Sequence, residues 1–246
     1  MRPVLGFAAI AAVAMGIYMP GQAAAPDMKP LSTIYDFYLG GVKAGELTVD
    51  AQVEGETYRA QSNLRTAGVV GMVYKASFEA ETEGRLEGPR LIPDRFAAAS
   101  RMKKKEQFVE MTYAGDAPAG VTAKPAFQPR PWEVDPIEQG GTLDPISAAL
   151  IGLAPVPVGE ICNKTVEIFD GRRRYAIDLG APSPDGERIK CPAKYRRIAG
   201  FKPKMMKKQA EFPFDVWFVE RPDGLAHFIR AAGESMFGVA VILLRE

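Results

Sequence analysis

Histidine and cysteine are nearly absent from this chain. Among 246 residues there is one histidine, His227, and there are two cysteines. That scarcity excludes His-built metal sites and zinc ribbons, which need three or four N or S ligands close together. An excess of one charge is also missing. Lys+Arg is 31 and Asp+Glu is 30, a net charge of +1, so bulk charge cannot drive binding to nucleic acid. Beyond the first twenty residues no apolar run approaches the ~20 residues that a spanning helix needs. Residues 239–244 are the best late candidate and read as a buried strand.

Catalytic signatures are missing too. Gly40, Gly41 and Gly45 stand at the wrong intervals for a nucleotide-binding loop and lie between two strands, so they read as a hairpin turn. His227 sits in mid-strand between Ala226 and Phe228, and no G-x-S-x-G elbow exists, which argues against a Ser-His-Asp triad. Glu79, Glu81 and Glu83 share one strand face and read as a solvated surface, not as a Ca²⁺ site or glycosidase pair. No catalytic residue, metal or cofactor is assigned.

What the sequence does have begins with an export signal. Arg2 is followed by an Ala-rich apolar stretch over residues 4–19, then Pro20, Gly21 and small residues. This order is that of a secretory signal peptide. Cleavage after Ala23 avoids a proline next to the scissile bond, so residues 1–23 are expected to be removed. Residues 24–246 then form a single β-rich domain in the periplasm, with no transmembrane segment. In an oxidising compartment Cys162 and Cys191 are most simply one disulfide. Its loop of about 30 residues is worth ~3–4 kcal/mol in chain-entropy terms.

Gly (24) and Pro (20) are abundant and predict many turns and few long helices. Period-2 alternation dominates. Residues 46–53 alternate without a fault and form a hairpin with 58–62 across Glu54-Gly55-Glu56. Tyr74, Ala76, Phe78, Ala80 and Thr82 share one face of the next strand. Residues 96–102 and 107–113 pair around Lys103-Lys104-Lys105. Residues 115–141, rich in proline, read as one long irregular connection, a lid or crossover. Asp144-Pro145 caps the single clear helix, near 145–153, with Ile146, Ala149, Leu150 and Leu153 on one face. Asp170-Gly171 joins residues 164–169 to 172–179 as a hairpin, and Arg221-Pro222-Asp223-Gly224 turns another. Residues 236–244 are the last strand.

Ten to twelve strands and one helix result. The fold expected is mainly β: a curved antiparallel sheet closing into a barrel, half-barrel or spiral around the helix, because a sheet this long must hide its edges. Curvature leaves a concave interior suited to a ligand. Tyr74 and Phe78 on one strand and Trp217 on another are expected to face it. The segment around Trp132 would lie over the opening, with Arg130 meeting an anionic headgroup. Three basic groups, at 103–105, 172–174 and 202–208, read as strand-edge protection or as contacts to lipid headgroups or envelope polymers.

Three segments resemble a known family. They are Tyr35-Asp36-Phe37-Tyr38-Leu39-Gly40-Gly41-Val42-Lys43-Ala44-Gly45-Glu46-Leu47, then Leu143-Asp144-Pro145-Ile146-Ser147-Ala148-Ala149-Leu150, then Val166-Glu167-Ile168-Phe169-Asp170-Gly171-Arg172-Arg173-Arg174-Tyr175 with Cys191 after it. The chain resembles the exported bacterial domain-of-unknown-function family 3108 over nearly all of its mature length. The resemblance implies an exported β-rich protein with no assigned activity and supplies no catalytic residues. By fold-level analogy its shape is similar to periplasmic lipoprotein carriers and to a β-spiral envelope-integrity family. The functional expectation is a non-catalytic protein that binds an amphiphile or an envelope component and supports envelope integrity. The alternatives are an interaction protein docking another polypeptide with no small ligand, and an envelope hydrolase using carboxylates.

Overall fold

A computed structural model describes residues 30–73, 75–103 and 105–245. The expected signal peptide, Tyr74 and Lys104 lie outside the described residues. In chain order the elements are β1 (Leu31–Leu39), β2 (Val42–Glu54), β3 (Thr57–Thr66), α1 (Gly68–Val73), β4 (Ala76–Glu87), β5 (Arg90–Met102), β6 (Lys105–Ala114) and β7 (Ala117–Lys124). There follow α2 (Pro145–Leu153), β8 (Val156–Pro157), β9 (Lys164–Phe169), β10 (Arg174–Leu179), β11 (Ser183–Asp185), β12 (Arg188–Ala199), α3 (Pro203–Lys208), β13 (Glu211–Glu220), β14 (Leu225–Ser235) and β15 (Gly238–Leu244).

All strands join one antiparallel sheet in the order β7-β6-β5-β4-β3-β2-β1-β15-β14-β13-β12-β10-β9, with β11 on β12 and β8 on β14. The sheet is mainly β as expected and curled, but it does not close. Strands β7 and β9 remain as unpaired ends, and the connection after β7 fills the seam between them. Gly141 N–H donates to Asp116 O at 3.0 Å beside β7. Leu143 exchanges backbone bonds of 2.9 Å with Glu167 and Phe169 on β9. The edge of β9 is thus satisfied by a loop rather than by a strand, one of the ways proteins protect sheet edges.

The alternation sets the two faces. On β4, Ala80, Thr82 and Leu86 are buried while Glu79 and Glu81 are exposed. Tyr35, Val49, Ala60, Phe96, Met111, Phe218 and Phe228 converge from strands all around the curl into one core. Helix α2 plugs this core with Ile146 and Leu150. Its cap is as expected: Asp144 accepts from Ile146 N (2.8 Å) and Ser147 N (3.0 Å). The inward face is broader than expected: Ser147 and Ala148 are buried with Ile146 and Leu150, Leu153 packs against the core as expected, and Ala149 is half-buried. Ser147 is inside because Asp144, Tyr58 and Thr82 bind it. Tyr58 Oη lies 2.7 Å from Ser147 Oγ, and Thr82 Oγ1 donates to Asp144 Oδ2 at 2.9 Å. Burial pushes the Asp144 carboxyl above its ordinary value.

Four local expectations are corrected. Residues 115–141 are not wholly irregular, because β7 pairs with β6 over Ala117–Lys124. The β9–β10 hairpin has a four-residue loop, since Asp170 Oδ1 accepts from both Arg172 N (3.0 Å) and Arg173 N (2.7 Å) and holds them out of the ladder. The lysines of 202–208 lie on and before helix α3, not on a strand. Met236 and Phe237 form the turn before β15, so the last strand begins at Gly238. Cys162 and Cys191 are disulfide-bonded, with a Cα–Cα distance of 5.9 Å. The bridge ties the segment before β9 to β12.

Candidate functional site

The curl leaves a cleft of about 990 Å³ between the β1–β7 half of the sheet and the β9–β10 loop. Its size follows from the side chains that cross its floor. The row Leu64, Phe78, Ser100, Gln107 runs across β3 to β6 on the cleft floor, and beside it lie the smaller Ala98 and Val109. Small side chains next to a bulky row leave a trough that a row of leucines would fill. Phe37, Leu39, Leu64, Phe78, Phe96 and Val109 make the walls apolar.

Polar groups gather at one margin. Arg172 and Arg173 line the cleft, as do Arg65, Lys105 and Glu106, the last paired with Arg101 at 2.7 Å. Arg172 lies 4.6 Å from the Phe127 ring centroid and donates to Gln128 O at 2.9 Å. Burial and the nearby Arg130 guanidinium push its pKa down. Arg173 lies over Phe201 at 5.5 Å. Asp170 belongs to the same loop, but its Oδ1 is turned back to the backbone N–H groups, and burial raises its pKa. The loop therefore offers the cleft two crowded guanidiniums whose adjacent carboxylate is already engaged. An anion placed there would relieve the crowding.

Gly171 makes this arrangement possible. Its φ is +88°, and a Cβ would stand 2.9 Å from Val109 Cγ1 and 3.3 Å from Val121 Cγ1. Only glycine lets the loop seat so closely against β6 and β7.

The residues anticipated for a ligand distribute as follows. Phe78 lies in the cleft wall, paired with Leu64 and Ser100 on the neighbouring strands. Tyr74 lies outside the described residues. Trp132 does not roof the opening. It lies beside the basic margin, with Arg130 at 5.8 Å and Lys202 at 5.9 Å from its ring centroid. The connection reaches the cleft through Pro125 and Phe127 instead. Trp217 is buried, but on the other face of the sheet from the central core. Its neighbours Val216 and Phe218 enter the core, so the pleat turns Trp217 outward. There its Nε1–H donates to Asp185 at 2.7 Å, and Arg230 and Lys190 flank its ring at 4.8 and 5.5 Å.

Arg172, Arg173 and Phe127 are the site residues that alternation did not supply. The first two were visible only as a basic run. The carboxylates on β4 do not reach the cleft: Glu81 pairs with Arg95 at 2.8 Å and Glu83 with Arg59 at 3.1 Å on the outer face. His227 pairs with Asp223 at 3.0 Å, at the opposite end of the sheet. Among the described residues no cluster of three His, Cys, Asp or Glu could hold a metal, and no helix is long and apolar enough to cross a membrane.

Fold and cleft together define an open, barrel-like antiparallel β-protein built around an internal helix. The chain belongs to the family described as "Protein of unknown function (DUF3108)", whose model matches residues 34–245. Among solved structures it is similar to a beta-barrel-like protein of domain of unknown function DUF1849 from Brucella abortus. That likeness is 14% in identity, covers 89% of this chain and 97% of the other, and has a TM-score of 0.49. No curated protein is similar to it.

Proposed function

We propose that this is an exported, non-catalytic binding protein of the cell envelope, whose cleft takes the acyl part of an anionic amphiphile. The observation that carries the reading is the pairing of an apolar trough of about 990 Å³ with Arg172 and Arg173 at its margin. Apolar walls with a few convergent polar groups are what a small-ligand site needs, and this volume suits one or two acyl chains. Guanidiniums bind carboxylate or phosphate bidentately, so they set the polarity of the bound molecule. The signal-like N-terminus and the disulfide support a periplasmic address.

The test is titration with a fluorescent fatty-acid analogue. Saturable binding is expected. Phe78→Asp should abolish it while the protein still melts cooperatively, since a carboxylate in the trough repels the chain. Arg172→Gln should weaken it about tenfold, the scale of one charge-assisted hydrogen bond. Arg130→Ala should weaken it less. Binding that survives Phe78→Asp, or no saturable binding to any lipid class, would leave a protein whose concave face serves only structure.

A further inference from the structure

The neutral total conceals a polar molecule. The cleft opens at the end of the sheet where β1, β3, β5, β7, β9, β12 and β14 finish, and the three basic groups of the sequence all lie on that rim. One is Lys103 and Lys105 at the β5–β6 turn. Another is the β9–β10 loop, and the third is α3 with Lys202. Segment 201–210 holds four exposed lysines and no acidic residue. The loop and α3 adjoin: Arg173 packs on Phe201, and Lys202 on Trp132 beside Arg130. The opposite end has an excess of acid, with exposed Glu54, Glu56, Glu87, Asp116, Glu187 and Glu220 in or beside its turns against exposed Arg90, Arg188 and Arg221.

The same rim carries most of the exposed large apolar side chains. Met236 is 89% exposed, Phe237 66% and Met72 76%, and Met102, Met205 and Val42 are exposed as well. These tips are neighbours: Gly40 N–H donates to Val239 O at 3.0 Å, joining the β1–β2 turn to β15, and Ala67 N–H, just before α1, donates to Ala44 O of β2 at 3.0 Å. Isolated exposed apolar residues are ordinary, but several at the one end that also carries the basic groups are not, although Glu106, Glu211 and Glu234 are exposed there too.

We propose that this rim docks end-on against an anionic lipid surface, Met236, Phe237 and Met72 entering the interface while Lys202, Lys204, Lys207 and Lys208 meet the headgroups. Lysines near such a surface each contribute on the order of 1 kcal/mol, and apolar tips add burial at the acyl boundary. The acidic end then points away from the bilayer, which fixes the orientation. Docking stands whether or not the cleft holds an amphiphile, but it sets the mouth of the cleft against the membrane.

The experiment is sedimentation of the purified chain with vesicles of phosphatidylcholine alone and of phosphatidylcholine mixed with phosphatidylglycerol, at low and high salt. Preferential binding to the anionic vesicles is expected, falling with salt. Changing the four lysines of 202–208 to glutamine should reduce it about tenfold or more. Met236→Ser with Phe237→Ser should also reduce it, with unchanged thermal unfolding in both variants. Phe78→Asp should bind vesicles normally, so a chain that binds vesicles but no fatty acid fails the cleft reading alone. Equal binding to both vesicle types overturns the proposal, as does full binding by either rim variant. Tighter binding to polyglutamate than to anionic vesicles would also overturn it and assign the rim to an acidic protein partner.

Discussion

At Asp144 one side chain does three things. It caps α2, it holds Ser147 inside, and it joins the helix to β4 through Thr82. Replacing Asp144 by Ala should cost about 2–4 kcal/mol, a cap plus buried partners left unmet, read by urea unfolding. A cost below about 1 kcal/mol would mean that the network is incidental. Gly171→Ala should destabilise by a similar mechanism of close approach, since its Cβ would meet Val109 and φ is positive. Its distinguishing result is weakened fatty-acid binding, because the loop bearing Arg172 must move. At this scale the sequence was partly legible. Asp144-Pro145 announces a cap because its chemistry is local. Trp217 misled, because alternation tells that neighbours face opposite ways but not which way is in, and Val216 and Phe218 were equally apolar candidates for the core.

Elements built from local pattern were legible in the sequence, and elements built from distant partners were not. The hairpin β2–β3 follows from unbroken alternation about a glycine turn, and β13–β14 from its Arg221-Pro222-Asp223-Gly224 turn between two apolar runs. Strand β7 has Pro118 and Gly120, which mask its pattern, and it forms because β6 offers it an edge. Helix α3 is too short to show a period. Two predictions belong here. Cys162→Ser should lower stability by about 2–4 kcal/mol and loosen β9 first in hydrogen exchange; no change in either would show the bridge to be dispensable. The second concerns the ion cluster that ties β15 to β1 and β2. Glu46 is bound by Lys43, Arg245 and Arg65, which hold its pKa down from an ordinary 4.5 to about 2. A carboxyl with a depressed folded pKa stabilises above its unfolded value and loses that contribution as pH falls toward about 2. Glu46→Gln should therefore lower the melting temperature at neutral pH, and the difference should shrink as pH falls below 4.5. An unchanged difference at low pH would contradict the assignment.

The whole molecule is an open curl with a plugged core, an apolar trough and two ends of opposite charge. Composition reported a balance of +1 and so hid the separation, because charge segregation is set by which strand ends share a rim. The open sheet matters to the cleft: Gly171 seats the β9–β10 loop against β6 and β7 through side chains alone, where a paired ladder would have brought the two edges together. An exported chain should have lost its leader, so intact mass from the periplasmic fraction should correspond to a start near Ala24, and a full-length membrane-bound product would contradict export. The cleft reading is tested most directly by native mass spectrometry of the protein purified gently from the cells that make it. The account predicts a population heavier by one anionic lipid or fatty acid, released on activation and missing from Phe78→Asp. A wild-type chain carrying no added mass, while Phe78→Asp shows the same bare spectrum and the same stability, would contradict it.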